Sequence, residues 1–305
     1  VTAQPVTAPT TTSGCGSCTN CYYSPTLACF SGWTQAQCAS VPSYTWCGGG
    51  APNPSPSPAV IPTPKPVVSP TPPMPPTGGG IGKYITATMF ANMFPLITPG
   101  SSLYNTACTG AGFFTYQSFI TAAAVYPAFG MSSDDATNKR EIAAFLAQAS
   151  QETNGANAGQ FNGGLCFKDE LGQSTNPGYC VTSTEFPCVA GQYYFGRGPL
   201  QLSYNFNYGP AGRALGVDLL ANPGAVSNDP ILAFKTSLWF WMTPQAPKPS
   251  CHDAMIGLTS PSGFGATTKV INGGVLQCGN GNPTRSAAEM QKIGYYQAYE
   301  TVFGL

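Results

Sequence analysis

Apolar positions recur with helical spacing in four stretches between Tyr116 and Val302. From Tyr116 to Ala128 the pattern turns Phe119, Ala122 and Ala123 to one side. From Asp135 to Ser150 it is sharper, with Ile142, Phe145, Leu146 and Ala149 at i, i+3, i+4 and i+7. Asp229 has the chemistry of an N-cap, and Pro230 suits a first helical turn. Ile231, Phe234, Leu238, Trp241 and Met242 then form a buried face, which Pro244 ends. Arg285 to Val302 predicts a last helix. Alternation of the kind that marks strands is scarce, and no internal repeat is evident. Residues 81–305 are therefore expected to form a mainly α domain with long Gly-rich loops.

The first 80 residues follow no such pattern. They hold a single charged residue, Lys65, whereas the remaining 225 hold 23. That step predicts four segments. Residues 1–13, rich in Thr, Ala, Val and Pro, read as a disordered leader. Residues 14–48 carry six cysteines, Cys15, Cys18, Cys21, Cys29, Cys38 and Cys47. A unit that small cannot bury enough surface to fold without staples, and six cysteines allow 15 pairings. Zinc is the alternative for Cys15, Cys18 and Cys21, though no His or second tight pair completes a site. The same stretch holds Tyr22, Tyr23, Phe30, Trp33, Tyr44 and Trp46. These are more aromatics than its small core needs, and their faces suit the apolar faces of sugar rings. A sugar-binding module is expected, with Tyr22, Tyr23, Trp33, Tyr44 and Trp46 as stacking residues; a ligand-free spacer is the alternative. It differs from eight-cysteine hevein-type domains. Residues 49–80 then form a Pro/Gly linker, with twelve prolines between Ala51 and Thr77. As polyproline helix it would reach about 80–90 Å, and a ligand for Pro-binding domains is its less fitting alternative.

Composition narrows the chemistry. Twelve acidic and twelve basic residues cancel, and without a Lys/Arg cluster neither nucleic acid nor an anionic membrane is an expected partner. No apolar run approaches the length of a membrane span. One His excludes multi-His metal sites, so no metal or cofactor is expected. Twelve cysteines point to disulfides and a secreted, extracellular setting. A start at Val1, without Met, is what removal of a signal peptide would leave.

Acid–base chemistry must then come from carboxylates. Asp134, Asp135 and Asp229 fall at helix starts, where acidic residues stabilise without any catalytic role. Glu141 opens a helix. Glu152 lies seven residues after Phe145 and extends that apolar stripe to a helix end near Gly155. Such a carboxylate is partly desolvated, which favours the protonated form that a general acid needs. Pairing with Arg or Lys at the helix end is the alternative. Asp169 and Glu170 follow Cys166-Phe167-Lys168, and one of the two suffices for a site. Two carboxylates without His or metal fit glycoside hydrolysis.

The run from Tyr193 to Arg213, Tyr-Tyr-Phe-Gly-Arg-Gly-Pro-Leu-Gln-Leu-Ser-Tyr-Asn-Phe-Asn-Tyr-Gly-Pro-Ala-Gly-Arg, resembles the central motif of the family 19 glycoside hydrolases, the plant-type chitinases. So do Phe145 to Thr153, Phe234 to Pro244, Lys248-Pro249-Ser250-Cys251-His252 and Ile271-Asn272-Gly273-Gly274. The resemblance runs from about Phe90 to the end of the chain. It implies a lysozyme-like helical fold with a deep cleft, and endo-acting, inverting hydrolysis of β-1,4-linked N-acetylglucosamine. It places the acid on Glu152 in Ser150-Gln151-Glu152-Thr153, the base on Glu170, and the water-holding serine on Ser203. It places Phe186, Gln201, Asn207, Lys248, Ile271, Asn272 and Arg285 along the substrate. It also pairs Cys108 with Cys166, Cys180 with Cys188, and Cys251 with Cys278.

Several residues depart from that family's pattern. Gln151 stands for a His, Phe206 for a Tyr, and Gln277 for a Glu that would pair with Arg285. A shorter Glu152–Glu170 interval and the bridge Ser262-Gly263-Phe264-Gly265 imply fewer loops and a shorter cleft. The expected partner is chitin or a related N-acetylglucosamine polymer, met by a monomer. A peptidoglycan-cleaving lysozyme-like hydrolase and a non-hydrolytic chitin-binding lectin are the rival readings.

Overall fold

A computed structural model of the chain describes Cys15 and residues 21–23, 28–30, 45–47, 80–272 and 286–305. The chain divides into two units, Val1–Pro73 and Met74–Leu305.

In the first unit, β1 (Cys21–Tyr23) lies between β2 (Ala28–Phe30) and β3 (Thr45–Trp46), antiparallel to both. Tyr22 is opposite Cys29 on one side and Thr45 on the other. A disulfide joins Cys15 to Cys47, which removes Cys15 from the zinc reading. Of the expected stacking residues, Tyr22 and Tyr23 lie on β1, and Trp46 on β3 is partly buried. Trp33 and Tyr44 lie outside the described residues, as do residues 1–13 and most of the linker.

The second unit is mainly helical, and capping side chains set its boundaries. The helices are α1 (Ala87–Met93), α2 (Tyr116–Ala123), α3 (Asp135–Glu152), α4 (Asn205–Leu215), α5 (Ala225–Asn228), α6 (Pro230–Met242), α7 (Cys251–Met255), α8 (Phe264–Asn272) and α9 (Ala287–Val302). Asp134 accepts from the Thr137 N–H at 2.7 Å to open α3. Asp229 accepts from the Ile231 and Leu232 N–H groups to open α6. Each cap satisfies amides that the first turn leaves without a partner. α2 stops five residues before the expected Ala128, because Pro127 disfavours helix in the residue before it and offers no N–H.

α3 and α6 are not amphipathic in the narrow sense expected. α3 is buried without a break from Glu141 to Ser150, and α6 buries Leu232, Ala233, Thr236, Ser237 and Trp239 beside its expected face. Helices covered nearly all round sit in the middle of a domain. α9 packs along α3, and α2 along α6. Between them lies an aromatic core: Phe119 stacks on Phe145 at 5.9 Å, Phe119 meets Phe234 at 5.3 Å, and Trp241 stands edge-on to Phe145 at 5.5 Å. Trp241 also donates to Glu141 at 3.0 Å. That fully buried carboxylate accepts from the Gly130 amide as well and pairs with His252 at 2.6 Å. Glu141 is thus a core group and not the plain helix-start acid that its position suggests.

Disulfides Cys108–Cys166 and Cys180–Cys188 form in this unit. Among the described residues Cys251 has no disulfide partner. It is a fully buried free thiol at the first turn of α7, pushed up by burial, and Cys278 lies outside the described residues.

Candidate active site

The end of α3 and the segment that follows it bring the two expected carboxylates to one cleft. Thr153, directly after Glu152, closes α3. Its hydroxyl accepts from the Leu165 N–H at 2.8 Å, and its carbonyl accepts from Cys166 and Phe167 at 3.1 Å each. The Cys108–Cys166 disulfide holds the same point from the other side. Residues 168–170 then pair with residues 196–198: Glu170 donates its N–H to the Gly196 carbonyl at 2.9 Å, and Gly198 donates to Lys168 at 2.8 Å. Arg197 exchanges two further bonds with Leu202. This short ladder sets Glu170 beside Gln201 and Ser203.

Neighbouring acids point to different places. Asp169 accepts from the Ser227 hydroxyl and pairs with Lys168 at 3.3 Å, against α5. Glu170 lines the cleft, where its Oε2 accepts from the Gly196 N–H at 3.0 Å and its Oε1 from the Tyr179 hydroxyl at 2.7 Å. A side chain at Gly196 would crowd both groups, since a Cβ there would stand 2.8 Å from Gln201 Oε1 and 3.2 Å from Glu170 Oε2, and each would have to shift.

Glu152 is held by a group that the sequence reading did not single out. Lys292 of α9 is fully buried, and its ammonium donates to Glu152 Oε1 at 2.7 Å, Gln148 Oε1 at 2.8 Å and Asn272 Oδ1 at 2.6 Å. All three ammonium protons are thereby used. Gln148 and Glu152 lie one turn apart on α3, and Asn272 ends α8, so a single cation joins three helices. The alternative of a helix-end Glu paired with Lys describes this contact. Glu152 Oε2 makes no hydrogen bond among the described residues.

The cleft encloses about 360 Å³, and its lining brings together Glu152, Glu170, Gln201, Ser203, Asn207, Ile271 and Asn272 of the expected site. It adds Tyr179, Tyr204, Thr236, Ser237 and Phe240, which the sequence reading missed. Ser203 donates to the Gln201 carbonyl at 2.8 Å, and Asn207 to the Ser203 carbonyl at 2.9 Å. Gln201 and Tyr204, on either side of the Leu202-Ser203 pair, have φ of 49° and 71°. Non-glycine residues reach that region at a cost, and such strain concentrates at functional sites. Phe206 stacks on Tyr204 at 5.0 Å and is exposed.

Two expected substrate residues sit elsewhere. Phe186 packs against Gly209 on α4, beneath the Arg213 guanidinium at 4.7 Å, away from the cleft lining. The Lys248 ammonium is taken up by the Val270 carbonyl at 2.6 Å. Arg285 and Gln277 lie outside the described residues.

Two carboxylates in a cleft walled by amides, hydroxyls and aromatic rings are the equipment of a glycoside hydrolase. The family model described as class I chitinase matches residues 85–305, and the chain belongs to that family, the family 19 glycoside hydrolases. It is 47% identical over 248 residues to endochitinase B of Nicotiana tabacum, covering 76% of this chain and 72% of the relative. Chitinase C from Streptomyces griseus superposes with a TM-score of 0.59 at 38% identity, over 73% of this chain and 78% of that one. A class IV chitinase from Zea mays gives 0.58 at 36% identity, over 74% and 96%. The second unit accordingly has the lysozyme-like, mainly helical fold of these enzymes.

Proposed function

We propose that the chain is an endo-acting chitinase that cleaves β-1,4-linked N-acetylglucosamine polymers with inversion. The observation that carries this is the meeting of Glu152, Glu170 and Ser203 on one cleft of a family 19 fold. Protonated Glu152 gives its proton to the glycosidic oxygen as that bond breaks. Lys292 occupies Oε1, which leaves Oε2 for the leaving group. Ionised Glu170 takes a proton from a water that attacks the anomeric carbon from the opposite face. The Ser203 hydroxyl, its own proton committed to Gln201, keeps lone pairs to hold that water. Gln201, Asn207, Ile271 and Asn272 line the sugar path.

The test is cleavage of a chitin hexamer with NMR reading of the first product anomer, beside an assay on bacterial cell walls. An α-anomeric product is expected, with loss of about 10²–10⁴ in kcat for Glu152→Gln and for Glu170→Gln. A β-anomeric product would refute inversion. Faster attack on cell walls would favour peptidoglycan, and binding of the hexamer without turnover would favour a lectin.

The aromatic-rich N-terminal module and the proline-rich linker support a second role, tethering the catalytic domain (residues 81–305) to insoluble polymer by raising its local concentration there. Removal of residues 1–80 should reduce retention on insoluble chitin and leave hexamer cleavage intact; equal retention would refute the tether. Three disulfides among the described residues support a secreted protein. A monomer is expected on a gel-filtration column.

A further inference from the structure

Tyr179 is the one side chain among the described residues that donates to the Glu170 carboxylate, and it is held there from several directions. It ends a short 3-10 turn, Pro177–Tyr179, in which Asn176 accepts from the Gly178 N–H at 2.8 Å. Cys180 follows at once and is disulfide-bonded to Cys188. Val181 is fastened through both backbone groups to the Asn205 side chain at the start of α4, at 2.8 and 2.7 Å. The Tyr179 ring stands edge-on to Tyr204 at 5.1 Å, and Tyr204 is itself backed by Phe206. So the loop clamp, the disulfide and the aromatic pair all converge on one hydroxyl, 2.7 Å from the oxygen of the base.

We infer that Tyr179 is a positioning residue for the Glu170 general base. Its O–H fixes Oε1 while the Gly196 amide fixes Oε2, so the carboxylate has one orientation in which its remaining lone pairs face the attacking water. Burial, then the hydrogen bond and charge of Glu170, push Tyr179 up to about 12, so it remains a donor across the working pH range. The inference rests on the reading of Glu170 as the base.

Tyr179→Phe in the full chain tests it, because the ring contact with Tyr204 survives and only the hydroxyl is lost. Hydrogen bonds to charged groups set the expected scale: kcat on the chitin hexamer should fall about ten- to hundredfold, with KM and Tm unchanged. In a Glu170→Gln background the same substitution should change residual turnover less than about twofold, since Tyr179 acts through that carboxylate. A raised KM with unchanged kcat would make Tyr179 a sugar contact and overturn the inference. So would a full further loss in the Glu170→Gln background. If Glu170→Gln is inactive and Tyr179→Phe keeps wild-type kcat, the positioning role fails and the base assignment stands. If Glu170→Gln is fully active, the base assignment fails and takes the positioning role with it.

Discussion

Replacing Lys292 by Met should destabilise the catalytic domain more than most single substitutions, and Glu152→Gln should destabilise it too. At 2.7 Å and an effective dielectric constant near 20, the gross attraction of the pair while Glu152 is ionised, before it takes up the proton it delivers in catalysis, is about 6 kcal/mol. Desolvating a fully buried ammonium cancels much of that, so the net worth of the pair is small. Breaking it from one side is different. Lys292→Met strands a carboxylate that is only 18% exposed and orphans the buried Gln148 oxygen and the half-buried Asn272 side chain, at a cost of about 3–5 kcal/mol. In a domain of this size that lowers Tm by about 6–20 °C. Glu152→Gln leaves Lys292 with three neutral acceptors and should cost about 1–3 kcal/mol. The double variant Glu152→Gln, Lys292→Met should be more stable than the sum of the two losses by at least about 0.5 kcal/mol, because no lone buried charge remains. Thermal unfolding by circular dichroism of the four proteins at one pH reads the cycle. Strict additivity, or a Lys292→Met Tm within 2 °C of wild type, would refute a buried ion pair here. Turnover of Glu152→Gln should be measured well below its own Tm, so that lost chemistry is not confused with lost fold.

Gly196→Ala should cut kcat more than tenfold with little change in Tm, since its methyl would stand against Gln201 and Glu170; steady-state rates on the hexamer check it, and an active variant would show that the ladder can move aside. For His252, burial lowers its affinity for a proton, but the hydrogen bond to Glu141, its charge and that of Asp253 together raise it above the ordinary value. That group therefore adds stability that is complete below about pH 6.5 and is lost as pH rises through the raised value. The Tm difference between wild type and His252→Gln should shrink from pH 5 to pH 9, and a constant difference would contradict the pairing. Serine at Cys108 and Cys166 opens a link spanning 58 residues, worth about 4 kcal/mol in chain entropy. The matching drop in Tm is the check, together with loss of activity as the base segment loosens.

What could be read from the chain depended on the range of the interactions involved. Helix ends were legible because their causes are local: Asp134, Asp229 and Pro230 act on residues one turn away. The extent of burial was not, since α3 is covered by α7, α8 and α9, all far along the chain. Glu152 and Glu170 were found by motif and by the apolar stripe of α3. Glu141 was passed over, because its partners Trp241 and His252 are 100 and 111 residues away. Tyr179 was missed for a related reason, as its spacing to Glu170 has no periodicity and only a turn and a disulfide fold it back.

Lys292 is the instructive omission, because its signal was present. Lys292, Tyr295 and Tyr299 stand at i, i+3 and i+7 on the buried side of α9, and a Lys inside such a stripe needs an anion. Glu152 ends the equivalent stripe on α3 and faced the same need. The two oddities are each other's explanation, and pairing unmatched charges across predicted helix faces would have joined α3 to α9 from the sequence alone. With Glu152 as the proposed acid, a carboxylate so held has one oxygen committed to structure and one left for chemistry. On that proposal, fold stability and proton transfer draw on opposite oxygens of the same side chain.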